Sequence, residues 1–172
     1  MTSNIQTGTV IAVCRNPQPG LPKPVVDEIQ LLDDLGVEGD YHAGKLVRHR
    51  YLARKYPDRP NLRQVLLVDA QAYQDIEQQD IQLGPGSMGE NMTVQGLPLM
   101  LLAIGTQLLI GDVLLEVTEV RTPCKQLNGM HPDLLQAVTT REQGKKRFKA
   151  GIMARILHGG AVRAGDHITI AS

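Results

Sequence analysis

The sequence predicts a mainly β fold, a barrel or sandwich carrying a few short peripheral helices. Dense punctuation is the first reason: 17 Gly and 10 Pro interrupt a chain of 172 residues. The second is what lies between the breaks, namely short runs of β-branched and aliphatic residues of strand length. The third is composition. With no Trp, one Phe and four Tyr, the core has to be built from Leu, Val and Ile.

The elements follow in order. Residues 7–14 alternate in polarity and are rich in β-branched side chains, and residues 64–68 and 91–94 are shorter apolar runs. Residues 107–110 and 113–120 flank Gly111-Asp112, a favoured turn between antiparallel strands. Residues 167–170 form a last strand after Gly165-Asp166. Asp69 is suited to cap a helix over 70–79 that places Tyr73 and Ile76 on one face. Pro132 fits the first turn of a second helix over 133–139. Residues 152–157 read equally as helix or strand, and residues 17–24, with four prolines and a glycine, read as loop. No repeat, low-complexity tract or internal boundary is visible, so one domain over 1–172 is expected, long enough for one substantial core.

Charge and targeting signals narrow the class. Lys plus Arg equals Asp plus Glu at 18 each, which argues against a nucleic-acid partner. Scarce aromatics argue against base-stacking platforms. Residues 1–8 are polar and lack the basic start and apolar run of a signal peptide. The most apolar stretch, residues 97–110, is broken by Pro98 and Gly105 and is too short to span a bilayer, so no membrane partner is expected. Cys14 and Cys124 are too few for a secreted disulfide framework, and a cytoplasmic location with both thiols free is the natural expectation.

Three familiar chemistries are set aside. Gly84-Pro85-Gly86-Ser87-Met88-Gly89 matches G-x-G-x-x-G, but strand and turn chemistry follows it where a dinucleotide site needs a helix N-terminus. His42, His49, His131, His158 and His167 show no zinc-ligand spacing with the two distant cysteines. Ser87 is not within a G-x-S-x-G elbow.

Four segments carry a positive signal in order. Gly39-Asp40-Tyr41-His42 gives G-D-x-H, and Gly89-Glu90-Asn91 gives G-E-N. Arg121-Thr122-Pro123-Cys124 gives R-x-P-C directly after the strand over 113–120, and Gly159-Gly160 with Gly165-Asp166 form closing turns. In this order and over nearly the whole chain they resemble the MOSC domain, the C-terminal module of molybdenum-cofactor sulfurases. The resemblance implies a β-barrel with peripheral helices and a reactive cysteine at Cys124. In sulfurases this domain is fused to a pyridoxal-phosphate cysteine desulfurase, for which this chain has no room. The resemblance therefore implies no pyridoxal phosphate here, and a separate cysteine desulfurase or redox donor as partner. Other relatives hold a molybdenum–pterin cofactor (molybdopterin) with the cysteine as metal ligand and reduce N-hydroxylated compounds. Thr106 departs from the Asp that relatives often carry after Gly105, a change expected to affect a turn.

The residue chemistry agrees with these implications. A thiolate is a soft ligand and a strong nucleophile, so Cys124 can ligate molybdenum or carry a sulfane sulfur as a persulfide. Arg121, three residues away, can favour the thiolate or bind a phosphate. Cys14, inside an apolar strand, reads as an inert core residue. His42 and Asp40 either contact cofactor or stabilise a turn. Glu90 and Asn91 either bind the pterin or close a buried turn with their side chains. The basic stretch over 45–63 reads as a solvated face, with Lys45 kept as a phosphate-binding candidate beside Gly44, and the run over 145–149 reads as an exposed loop. Three functions remain open: a cofactor-binding or sulfur-carrier protein, a molybdenum-dependent reductase of N-hydroxylated compounds, and a non-catalytic interaction module. The substrate and the oligomeric state are not legible.

Overall fold

The computed structural model describes residues 6–171, so the polar start at 1–5 lies outside the described residues. In chain order the strands are β1 (Thr7–Cys14), β2 (Val25–Val26), β3 (Glu28–Leu32), β4 (Gly36–Val37), β5 (Val65–Asp69), β6 (Met92–Gln95) and β7 (Gln107–Ile110). They continue with β8 (Val113–Val120), β9 (Thr139–Glu142), β10 (Lys145–Phe148), β11 (Ile152–His158), β12 (Gly160–Arg163) and β13 (His167–Ile170). The α-helices among the described residues are three and short: α1 (Arg50–Lys55), α2 (Ala70–Glu77) and α3 (Leu134–Ala137). None is long and apolar enough to cross a membrane.

Seven strands close into a barrel in the order β13-β7-β8-β11-β5-β6-β1, and β1 pairs back onto β13 with Thr7 opposite Thr169. Closure removes exposed sheet edges, which is how an all-β chain of this size avoids unpaired backbone. Neighbours around the ring are antiparallel except β5 and β6, which run parallel with Leu67 opposite Met92. That parallel pair needs a crossover, and α2 supplies it.

The burial pattern follows from the pleat. In β8, Val113, Leu115 and Val117 fill the barrel while Leu114 and Glu116 face outward, the alternation expected of a half-buried strand. In β5, Val65 and Leu67 fill the barrel, whereas Leu66 and Val68 enter a second cluster under α2 and α3. A strand buried on both faces reads as a continuous apolar run, which is why residues 64–68 show no alternation. The second cluster contains Tyr73 and Ile76 of α2, Leu127, Leu134 and Val138. Asp69 caps α2, its carboxylate accepting from the Gln71 amide at 2.9 Å.

Some elements differ from the sequence reading. Residues 152–157 are strand, because Ile152, Ala154 and Ile156 fill the barrel while Met153 enters the outer cluster. The helix after Pro132 is only four residues long. The basic run over 145–149 is exposed, but most of it is the strand β10 of a hairpin and not loop. Its turn, Gln143-Gly144, takes positive φ at both residues (50° and 77°), as a tight two-residue hairpin requires. A small side sheet, β12-β3-β4, was not anticipated.

Candidate functional site

Beyond the end of β8 the chain leaves the barrel through Arg121-Thr122-Pro123-Cys124. Two anchors fix the exit: the Arg121 amide donates to the Gly151 carbonyl at 3.0 Å, and the Arg121 guanidinium donates to the Ala150 carbonyl at 3.2 Å. Pro123 is buried, while Cys124 is exposed and caps a short 3₁₀ helix over Lys125–Gly129. The thiol therefore stands clear of the barrel on a backbone held by its neighbours. It lies on the wall of a pocket of about 670 Å³. Arg121 lines the same pocket. Burial pulls its pKa down to about 10, with Glu90 and Cys124 opposing, so the guanidinium stays protonated at neutral pH.

The G-D-x-H segment forms another wall. The Asp40 side chain is sealed from solvent and fully engaged. Its Oδ2 accepts from Lys23 Nζ at 3.0 Å and from the His42 amide at 3.2 Å, and its Oδ1 accepts from the Asn16 amide at 2.9 Å. Burial alone would raise the carboxyl. The contacts from His42 and Lys23 and the Asn16 amide overcome it and hold Asp40 well below the usual carboxylate range. The His42 ring lines the pocket, with Nδ1 3.6 Å from Asp40 Oδ2. Burial lowers its pKa further than Asp40 raises it, so the ring is held toward its neutral form. Asn61 secures this turn from behind, donating through Nδ2 to the carbonyls of Leu35, His42 and Gly44.

The G-E-N segment forms the floor, and its polar atoms are spent inside the protein. Glu90 is fully buried and does not line the pocket. Its carboxylate accepts from the Tyr73 hydroxyl at 2.6 Å, from the Gly86 amide at 2.7 Å and from Thr93 at 3.5 Å. Burial pushes Glu90 upward, and burial together with Glu90 pushes Tyr73 strongly upward. Asn91 accepts from the Leu66 amide at 3.2 Å and donates to the Cys14 carbonyl at 3.1 Å, stitching β5 to β1 where β6 begins. For Glu90 this geometry is that of the buried turn, whereas Asn91 makes such bonds and also lines the pocket.

The residues over 84–89 form turns with no helix after them, consistent with setting aside a dinucleotide site. The turn is instead a bracket. Gly86 has φ +90°, and a Cβ there would stand 2.0 Å from the Lys23 carbonyl, so only glycine lets the proline-rich loop pack against it. The Gly86 carbonyl in turn accepts from the Lys23 amide at 3.0 Å, which carries Lys23 into the pocket wall.

Lys45 is exposed, is not part of the pocket lining and contributes only a backbone carbonyl, accepting from the Asn61 amide at 3.0 Å. The cations that do line the pocket are Lys23, Arg50, Arg59, Arg63 and Arg121. Part of the basic stretch is therefore pocket wall and not merely a solvated face. Arg63 pairs with Glu119, the one acidic residue in the lining. His49 lines the pocket too and caps α1, its Nδ1 accepting from the Leu52 amide at 3.5 Å. Burial, then the charges of Arg63, His42 and Arg121, bring its pKa down to about 4. No local motif marks Lys23, His49, Arg50, Arg59 or Arg63: Lys23 reaches the pocket from the proline-rich loop, and the others from the segment between β4 and β5 that carries α1. Cys14 is fully buried, and burial with Glu90 pushes its thiol up to about 12.

The fold is a closed β-barrel, and its one exposed cysteine stands on the wall of a cation-lined pocket. A MOSC domain model matches residues 39–169, and the chain belongs to the MOSC domain family, which is associated with molybdenum-cofactor binding. Among solved structures, the YuaD protein of Bacillus subtilis superposes with a TM-score of 0.80 at 19% identity, over 97% of both chains. YiiM of Geobacillus stearothermophilus gives 0.66 at 18% identity, over 96% of this chain and 75% of its own. YiiM of Escherichia coli gives 0.61 at 23% identity, over 95% of this chain and 70% of its own. The sequence matches no curated protein.

Proposed function

We propose that this protein binds a molybdenum–pterin cofactor in the pocket, with Cys124 as metal ligand or as carrier of a transferable sulfur. One observation carries the reading. The exposed thiol of Cys124 shares a pocket with five cationic side chains against a single carboxylate, which Arg63 already neutralises. The donor set fits the group. A soft thiolate suits molybdenum, and guanidinium groups suit the phosphate of a pterin tail through paired, charge-assisted hydrogen bonds.

Among the described residues no cluster of three or more His, Cys, Asp or Glu side chains stands ready to hold a metal alone. A metal held at Cys124 would take its remaining donors from the cofactor and solvent. When bound, the cofactor supplies a redox-active metal centre for atom transfer. The protein's own part is to position the thiol beyond β8, to neutralise the anionic tail with Arg121, Arg50 and Arg59, and to close the floor with the Glu90 and Asn91 networks.

Anaerobic purification from a molybdenum-replete host, followed by metal and pterin quantification, tests the reading. Molybdenum and pterin near one equivalent in the wild type, lost in Cys124→Ser, support the ligand role. Cyanide-releasable sulfur on Cys124 without metal supports the carrier role. Absence of metal, pterin and labile sulfur overturns both.

A further inference from the structure

The chain between Lys45 and Asn61 is built unlike the barrel beside it. Its base is fixed. Leu46 pairs with Pro60 in an antiparallel bridge, the Val47 amide donates to the Arg59 carbonyl at 2.9 Å, and the Asn61 amide donates to the Lys45 carbonyl at 3.0 Å. Asn61 is buried, and its Nδ2 donates to the Gly44 carbonyl at 2.9 Å, so one residue ties both ends of the excursion. Above this neck little is packed. Val47 is the one buried residue over 46–60, and α1 buries none of its residues. Yet the same segment supplies His49, Arg50, Tyr51, Leu52 and Arg59 to the pocket lining. Tyr51 lines the pocket while 62% exposed, so its ring is not seated against the barrel. The charge is one-sided as well. Arg48, Arg50, Arg54, Lys55 and Arg59 stand against Asp58 alone, and among the described residues none of these cations is in an ion pair.

We propose that residues 46–60 are a lid on the pocket, hinged at this neck and drawn down by an anionic ligand. Two effects set its position. A segment with so little buried apolar surface opens at small cost, because opening wets almost nothing that was dry. Closure on an empty pocket gathers Arg50 and Arg59 with Arg121, which also lacks a carboxylate within ion-pair distance among the described residues, and like charges oppose it. An anion reverses that sign. It accepts from guanidinium groups on the lid and on the chain beyond β8 together, and the Tyr51 ring gains a surface to cover. The neck bonds need not break, so the segment swings as a compact loop whose ends stay close. The lid then sets how fast a ligand enters and leaves beside Cys124 and how much water shares the pocket with it.

The proposal rests on the reading of this pocket as the ligand site. Its test uses protein freed of cofactor, so failure to retain molybdenum and failure of the lid are separate results. Amide hydrogen exchange resolved by residue reports the opening. Ala53 and Tyr56 donate within the lid to the His49 and Leu52 carbonyls, while Val47 and Asn61 donate across the neck. Without ligand, the first two amides are expected to exchange at least about tenfold faster than the neck pair. Inorganic pyrophosphate, as the anionic probe, slows Ala53 and Tyr56 about tenfold on saturation. It leaves the exposed basic hairpin β9–β10 unchanged, which separates closure from general anion adsorption. The double variant Arg50→Gln/Arg59→Gln loses the pyrophosphate response. Lid amides protected as well as the neck, no slowing by pyrophosphate, equal slowing in the hairpin, or a full response in the double variant overturns the assignment.

Discussion

Lys23 Nζ and Asp40 Oδ2 stand 3.0 Å apart behind the pocket wall, with 4% and 0% of their side chains exposed. The pair joins the proline-rich loop to the G-D-x-H turn, segments that share no secondary structure. Removing one partner of a buried pair strands the other charge, a loss of about 3–5 kcal/mol. Asp40→Asn is therefore expected to lower the urea midpoint at neutral pH by an amount consistent with that loss. The pH dependence has a definite sign. Asp40 is depressed in the folded state, so its contribution is fully present above the unfolded carboxylate pKa of about 4. It is lost as pH falls toward the folded value, and Asp40→Asn should flatten that acid limb.

The two thiols should behave oppositely. Cys14 is sealed and its pKa is pushed up to about 12, while Cys124 is exposed on the pocket wall. Native protein at pH 7.5 should therefore take up one equivalent of iodoacetamide rapidly, and Cys124→Ser should abolish that phase. Cys14→Ser should leave it intact. Two thiols reacting at similar rates without denaturant would contradict this placement.

How much of this was legible follows from where the information lies. The boundaries of β1, β7, β8 and β13 could be read because alternation and turn dipeptides are local signals. β9 and β10 were not read, because Thr139–Glu142 and Lys145–Phe148 bury little and present almost no apolar face to set a period. β3 did carry a signal, Ile29 and Leu31 alternating with polar Glu28 and Gln30, and it went unread. At the site, Cys124 and Arg121 share one short motif and were found together. Lys23 enters through its contact with Gly86, and His49 and Arg59 arrive on an excursion closed by the Leu46–Pro60 bridge. Those are tertiary facts with no local pattern. Lys45 shows the converse: its charge is legible, but the direction of its side chain is not.

Acid sensitivity should also come from His49. Its folded pKa of about 4 lies below the unfolded value of about 6.5. Between those values the unfolded chain binds more protons, so stability falls as pH drops through that window and levels off below it. His42 is shifted in the same direction. Urea midpoints measured from pH 7 to 5 should fall less steeply in His49→Gln than in the wild type. An unchanged slope would mean the ring is more hydrated than its position implies.

Gly86 should tolerate no side chain. Its φ of +90° is strained for any L residue, and a Cβ would meet the Lys23 carbonyl at 2.0 Å, backbone against backbone. Gly86→Ala should lower the melting temperature and displace Lys23 from the pocket wall. Gly84→Ala in the same turn meets no atom within 4 Å at its Cβ and should be nearly neutral. That pair of variants separates the close approach at Gly86 from a general effect of stiffening the turn.

Geometry ranks the cations differently from the sequence reading, which kept Lys45 as the phosphate candidate of the basic stretch. Arg121 is anchored on the Ala150 carbonyl, lines the pocket and has no carboxylate within ion-pair distance among the described residues. Losing a hydrogen-bonded charge pair with a phosphate there should cost about 2–5 kcal/mol, or two or more decades in affinity. Arg59 also lines the pocket but is exposed, with its guanidinium 5.9 Å from the Tyr56 ring centroid, so water screens it and its loss should be smaller. Lys45 lies outside the lining and should matter least. Titrating the purified variants with molybdenum–pterin cofactor should therefore give Arg121→Ala as the most damaging, Arg59→Ala as intermediate and Lys45→Ala as close to wild type. If Lys45→Ala weakened binding more than Arg59→Ala, the phosphate would have to sit on the outer side of the G-D-x-H turn, and the pocket beside Cys124 would not be where the cofactor's tail is held.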